Sequence, residues 1–505
     1  MLTILGGTVL LAILLTSTKL VSWMLKKINL CVHESKLDPK VRSSLPPGDM
    51  GWPIVGNMWS FLAAFKSPDP DSFMTSFIKR CASLTFISTF FISMNRFGNT
   101  GLYKGFMFGK PCVFVTTPET CKRVLNDDDA FTTGWPKSTV ELMGHKSFIG
   151  NMSYEEHKRL RRLTSAPVNG YEVLSNYVHY INDNVVSSLE QWSGQGTIEF
   201  LTHIRKLTFR IIMHIFLSSS SDPIMESLEK EYTSLNLGVR ALAINLPGFA
   251  FQKALKARKK LVAVFQSVVS ERRLANGKAK EDMLDSLLQV EDEKGGKLSD
   301  EQIIDILLMY LNAGHESSAH VTMWAVIYLQ QNPEFLEKAK EEADEIVRKR
   351  PSSQSGVTLK EVREMGYLSQ VIDETMRVVT FSSMVFRQAK HDVEINGYTI
   401  PKGWKVIVWF RNVHYDRQIY PSPKEFNPDR WENFTPKAGS FLPFGAGSRL
   451  CPGNDLAKIE IAVFLHHFVS NYRLERANKD CQVIHLPHKR PTDNCLATVK
   501  KLSDS

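Results

Sequence analysis

The sequence predicts a mainly α-helical fold with minor β-strand, an α+β body behind a single N-terminal transmembrane helix. Three observations carry that prediction. Apolar residues recur at helical spacing along most of the chain, and strand-like stretches are few and short. Residues 2–25 form an apolar run whose only charge is Lys19.

The N-terminal run would span roughly 36 Å as a helix, enough for a hydrocarbon core of about 30 Å. A cleaved signal peptide carries its positive charge before the apolar stretch. Here Lys19, Lys26 and Lys27 fall at its end or beyond it, so residues 1–25 read as an anchor with the rest of the chain on the cytoplasmic side. Residues 26–53 read as a linker. Its hinge is Leu45-Pro46-Pro47-Gly48-Asp49-Met50-Gly51-Trp52-Pro53, stiffened because proline fixes φ and favours extended backbone before it. Residues 54–505 read as one catalytic body, since nothing between 50 and 500 resembles an interdomain linker. Within it, helical spacing marks 180–216, 222–240, 250–276, 299–331 and 333–349. Strands are expected at 111–116, at 393–400 around an Asn396-Gly397 turn, and at 405–410. The charged stretch 275–298 reads as a surface loop near a short helix.

Composition narrows the function classes. Of 505 residues, 43% are hydrophobic and 23% charged, which excludes wholesale disorder and collagen-like structure. The net charge of +9 is spread without a long run of like charges, so no nucleic-acid partner is expected. It suits an anionic membrane surface or an acidic partner protein. The seven cysteines are scattered at 31, 81, 112, 121, 451, 481 and 495 with no CxxC pair, which argues against a disulfide framework or zinc ribbon.

Two places carry chemistry. The helix at 299–331 opens with capping-box spacing, Ser299 to Gln302, and is interrupted in its middle by Ala313-Gly314-His315-Glu316-Ser317-Ser318. Glycine inside a helix costs about 1 kcal/mol relative to alanine, and buried polar groups cost more without partners. Small residues here would leave room for a flat ligand, with Glu316 and Ser317 handling protons. The second place is Phe444-Gly445-Ala446-Gly447-Ser448-Arg449-Leu450-Cys451-Pro452-Gly453. Its glycines let backbone pass close to a bulky group. Helical spacing from 454 to 469 puts Cys451 near a helix N-terminus, where negative charge is favoured. A thiolate bound to iron, with Arg449 on a nearby carboxylate, accounts for this pattern.

These motifs resemble those of a plant microsomal cytochrome P450, with the FGxGxRxCxG pattern complete. Glu374-Thr375-Met376-Arg377 matches the family's ExxR helix motif. Phe426-Asn427-Pro428-Asp429-Arg430-Trp431 matches the loop whose Arg430 completes a Glu–Arg–Arg network. The resemblance implies that Cys451 is the axial ligand of heme b (iron protoporphyrin IX), cradled by Phe444, Gly445 and Gly453. It implies Arg449 and Arg161 on the heme propionates. His157 stands where the family usually has Trp and is a second candidate donor, and Arg387 is a further one. The common oxygen-activation Thr is replaced by Ser317, which keeps a hydroxyl beside Glu316. The implied activity is monooxygenation, with O2 as co-substrate and NADPH electrons delivered by NADPH-cytochrome P450 reductase at the endoplasmic reticulum membrane. No GxGxxG follows a strand, so the chain brings no nicotinamide or flavin site of its own.

A narrower resemblance is to the plant ent-kaurenoic acid oxidases, carried by Asp127-Asp128-Asp129-Ala130-Phe131, Gly134-Trp135-Pro136-Lys137-Ser138, residues 161–170, residues 311–318 and Pro491-Thr492-Asp493-Asn494-Cys495. That family oxidises a diterpenoid acid stepwise toward gibberellin A12. Alternatives are a plant triterpenoid oxidase of β-amyrin type, a heme or terpenoid carrier without turnover, and a non-catalytic splice product. The last is prompted by residues 81–96, rich in Phe, Ile, Ser and Thr. Removing them joins Arg80 to Phe97 as family members read, so they look like an insertion.

Overall fold

The computed structural model describes residues 2–88, 100–148, 152–218, 222–239, 241–274 and 282–502. They divide into two compact units. The first comprises Met1–Gly134, Ser383–Val413 and Ala438–Ser440; the second comprises Trp135–Ser382, His414–Lys437 and Phe441–Ser505.

The first unit holds most of the sheet. Strands β1 (Leu102–Met107), β2 (Lys110–Val115), β3 (Phe131–Thr133), β4 (Val385–Ala389) and β7 (Lys405–Val408) pair in the order β1-β2-β7-β4-β3. β2 and β7 run parallel, with Cys112 opposite Lys405 and Val115 opposite Val408. The other pairs are antiparallel. The stretch expected at 393–400 is a hairpin of β5 (Val393–Ile395) and β6 (Tyr398–Ile400). Asn396 and Gly397 turn it with φ of 53° and 77°, as a type I′ turn requires. The expected strand at 405–410 stops at Val408, because Phe410 begins a helical turn, Phe410–His414.

Helix α1 (Leu2–Glu34) runs past the apolar stretch, and among the described residues no helix is long and apolar enough to cross a membrane. The proline segment packs along β1. The Lys104 amide donates to Pro47 O at 2.9 Å, and a Cβ on Gly48 would come within 1.9 Å of Lys104 O. Asn29 ties the end of α1 to the same segment through Met50 O at 2.9 Å. Helix α2 (Ser72–Ser88) carries the chain through Cys81, which is buried; residues 89–96 of the expected insertion lie outside the described residues.

The second unit is helical. Its centre is α6 (Asp300–Gln331), capped by Ser299 and Gln302 in the expected box: the Gln302 amide donates to Ser299 Oγ at 3.2 Å, and the Ser299 amide to Gln302 Oε1 at 3.0 Å. Around it lie α3 (Tyr154–Asn169), α4 (Phe200–Leu217), α5 (Asp222–Val239), α7 (Gly366–Val379) and α8 (Asn454–Asn471). The helix expected over 180–216 is two helices, Tyr171–Ser193 and α4, separated by Gly194 and Gly196 and a short strand, Ile198–Glu199. Their apolar faces continue the same spacing, so periodicity alone does not see the break. Of the loop expected at 275–298, residues 275–281 lie outside the described residues, and Met283–Gln289 is a short helix.

Candidate functional site

Cys451 sits on the loop just before α8. Its amide donates to Phe444 O at 2.9 Å, closing the loop upon itself. Burial pushes the thiol up from its ordinary range, while the Gly453 amide and the Arg161 charge pull it back. Arg161 lies on α3, one turn from His157. Arg161 and Cys451 both register on Tyr310 of α6. Burial raises that phenol, Thr164 and Arg161 lower it, and Cys451 raises it further. Tyr310, Ala313 and Ser317 share a helix face by their spacing of three and four. α6 is buried over residues 303–311 and 318–327, yet Ala313 is exposed and Ser317 half-buried. One face of the central helix therefore opens on the Cys451 side.

This space suits the heme that the motif implies. A Cβ on Gly445 or on Gly453 would meet nothing within 4 Å, and Gly445 turns at φ 77°. Ser448 Oγ is buried and finds no partner among the described residues. A half-buried sulfur donor near an arginine, a cradle without side chains and an open helix face are what a planar, anionic iron macrocycle needs.

The expected site residues separate into groups. Cys451, Phe444 and Arg161 come together as described. His157 is buried and meets Phe148 edge-on at 5.7 Å, and Phe148 stacks on Tyr310 at 6.0 Å, so His157 belongs to the same wall. Arg449 ends the short turn Gly447–Arg449 on the Cys451 loop. Arg387 belongs to the first unit, buried on β4 opposite Thr133.

Glu316 and Ser317 point apart. Ser317 Oγ donates to Ala313 O at 2.8 Å. The Glu316 carboxylate turns toward other helices, with Arg205 Nη2 of α4 at 2.5 Å and Asn236 Nδ2 of α5 donating to it at 3.1 Å. His320 Nδ1 stands 3.4 Å from its other oxygen. Gly314 also has a different purpose from the one expected. A Cβ there would press Ile212 Cδ1 at 3.3 Å, so its missing side chain lets α4 approach α6. The small residue that leaves room on the open face is Ala313.

Glu374, Arg377 and Arg430 form one network. Arg377 Nη2 and Nε donate to the two carboxylate oxygens of Glu374 at 2.8 and 2.9 Å, and Arg430 Nε donates to Glu374 Oε1 at 2.9 Å. Trp431 Nε1 adds a bond to Oε2 at 3.0 Å, a fourth member that the motif spelled but to which no role was given. Its signal was there, since a buried indole N–H needs an acceptor. Tyr310 was missed because it reads as one more apolar position of α6.

The cytochrome P450 family model matches residues 83–492. Ent-kaurenoic acid oxidase 2 of Arabidopsis thaliana is 62% identical over 483 residues, 95% of each chain. Ent-kaurenoic acid oxidase of Oryza sativa subsp. japonica is 53% identical over 503 residues, 98% of this chain and 96% of that one. The 7,8-epoxymelianol synthase of Ailanthus altissima is 50% identical over 483 residues, 95% and 94%. The retinoic acid bound cyanobacterial CYP120A1 shares the fold with a TM-score of 0.78 at 24% identity, over 91% of this chain and 99% of that one. With the motif, the cradle and these likenesses in agreement, the chain belongs to the cytochrome P450 family and is a plant monooxygenase that uses heme, O2 and NADPH electrons passed on by a reductase.

Proposed function

We propose that this enzyme oxidises ent-kaurenoic acid in successive steps to gibberellin A12. The observation that carries the reading is the 62% identity, over 95% of both chains, to a relative named for that acid. A second reading, a plant triterpenoid oxidase, draws support from the relative at 50% identity named as a 7,8-epoxymelianol synthase. The difference in identity favours the acid.

In this reading Cys451 Sγ would hold the iron of a bound heme, which would supply the oxygen-activating chemistry for oxidising an unactivated C–H bond. The chain's own residues hold and protect that chemistry. The Gly453 amide and Arg161 favour negative charge on Cys451. Arg161, Arg449 and His157 would hold the propionates, and Phe444, Gly445 and Gly453 would shape the cradle. Ser317 Oγ, on the open face of α6, would deliver protons there, and Glu316, which points away into its pair with Arg205, would feed that path only through water. The Glu374–Arg377–Arg430 network holds the Cys451 side of the second unit. Residues 1–25 anchor the protein in the endoplasmic reticulum membrane, residues 26–53 lead to the body, and residues 54–505 act on the cytoplasmic side.

Microsomes carrying the full chain test this. The reduced carbon monoxide complex should show the thiolate-type Soret band, absent in Cys451→Ser, and NADPH should drive conversion of ent-kaurenoic acid but not of β-amyrin. Turnover of β-amyrin with inertness toward the acid moves the enzyme to the second reading. A thiolate-type band without turnover of either compound overturns the acid as substrate and leaves the monooxygenase with a different one.

A further inference from the structure

His414 lies in the second unit between the ExxR helix and the loop that carries Cys451, and it is fully buried. Its hydrogen bonds determine its tautomer. The Leu442 amide donates to Nε2 at 2.9 Å, so Nε2 is the bare acceptor. Thr380 Oγ1 donates its only hydrogen to Arg377 O at 2.6 Å, so it must accept from His414 Nδ1, 3.0 Å away. The ring is therefore neutral, with its hydrogen on Nδ1. Arg377 Nη1 also donates to the His414 carbonyl at 2.9 Å.

A continuous path follows. It runs from Arg377 through Thr380 and the His414 ring to the Leu442 amide. The Leu442 carbonyl then accepts from the Gly445 amide at 3.1 Å, and Phe444 O accepts from the Cys451 amide at 2.9 Å. Thr380, which caps α7, adopts φ 45°, a left-handed conformation unusual for a β-branched residue. That cost places its hydroxyl between the Arg377 carbonyl and the ring.

We infer that His414 is a positioning residue for the thiolate ligand: as the Nδ1–H tautomer it receives the Leu442 amide and sets the start of the loop that presents Cys451. This rests on the reading of Cys451 as the ligand. The role is one of acceptor geometry, so the two amide substitutes for histidine should differ. In His414→Gln the side-chain oxygen reaches the Nε2 position and still accepts from Leu442. In His414→Asn the shorter side chain reaches only the Nδ1 position, and the Leu442 amide is buried without an acceptor.

The test compares full-length wild type, His414→Gln and His414→Asn at equal heme content. The readout is the ratio of thiolate-type to non-native Soret band in the reduced carbon monoxide complex. His414→Gln should keep the wild-type ratio, and His414→Asn should lower it about tenfold or more, the consequence of one unmet buried donor. Equal ratios in the two variants, whether both high or both low, overturn the assignment. Hydrogen exchange on the unmutated holoenzyme gives an answer even where a variant does not fold. The Leu442 amide should exchange at least about tenfold more slowly than the exposed loop amides, and exchange as fast as theirs overturns the proposal. A wild type lacking the thiolate-type band would instead count against Cys451 as the ligand, which keeps the two claims distinct.

Discussion

Glu316 Oε1 lies 2.5 Å from Arg205 Nη2, an ion pair that joins α6 to α4 with the carboxylate buried and the guanidinium partly open. The two side chains expected to move protons therefore differ in what they are attached to. Among the described residues Ser317 bonds within its own helix, whereas Glu316 is part of the packing of three helices. Their variants should separate accordingly. Ser317→Ala should leave the thermal midpoint unchanged. Glu316→Gln should lower it, because Arg205 loses its counter-charge. The cost should be about 1–2 kcal/mol rather than the 3–5 of a fully buried pair, since Arg205 is partly solvated. The double variant should divert electrons to peroxide and lose product by about 10²- to 10⁴-fold, the usual worth of general acid assistance. Unchanged coupling of NADPH to product in that double variant sinks the proton role.

Glu374 and Arg377 have no solvent exposure, and their pairing is met on every side. Removing one partner strands the other. Arg377→Leu should yield no folded holoenzyme, because about 3–5 kcal/mol is a large part of a typical stability of roughly 5–15 kcal/mol. Trp431→Phe removes a single bond to Glu374 Oε2 and should cost about 1–2 kcal/mol, with the heme spectrum intact. Equal expression and melting of the two variants would show that Glu374 is not the centre of the network.

What sequence made legible was local. The capping box of α6, the Asn396-Gly397 hairpin and the Cys451 loop each depend on residues within a few positions of one another, so their spacing shows in the chain. Trp431 with Glu374, Arg205 with Glu316, and His414 with Leu442 are separated by 57, 111 and 28 residues. Each looks like an ordinary polar or aromatic residue until the fold supplies its partner. Gly314 shows the same limit, because its spacing marked it as special but only the approach of Ile212 says why.

Residues 81–96 remain an unusual stretch of sequence. α2 carries the chain as far as Ser88, and Phe77 and Cys81 are buried on it. Deleting 81–96 would put Phe97 in the place of Cys81, one apolar residue for another on the same helix. Holoenzyme yield and turnover in microsomes should be kept or improved. A deletion that loses heme content and activity would make the segment a structural element.

Glu460 of α8 offers a test that does not depend on substrate. It is buried, and burial pushes its carboxyl from 4.5 up to about 8, with Ser318 of α6 pulling the other way. A carboxyl whose folded value is raised destabilises the fold wherever the unfolded chain would ionise. Below about pH 4.5 both states hold the proton and Glu460 contributes no pH dependence. Between roughly pH 4.5 and 8 the unfolded state releases it while the folded state keeps it. Stability should therefore fall by up to about 1.4 kcal/mol per pH unit as pH rises. Above pH 8 the cost stays in full. Glu460→Gln has no proton to lose, so its advantage over wild type should be small at pH 5, grow through pH 7 and level off near pH 8. Paired thermal or urea unfolding of the two proteins across that range measures it. A difference that does not change with pH would mean that Glu460 is ionised in the folded enzyme.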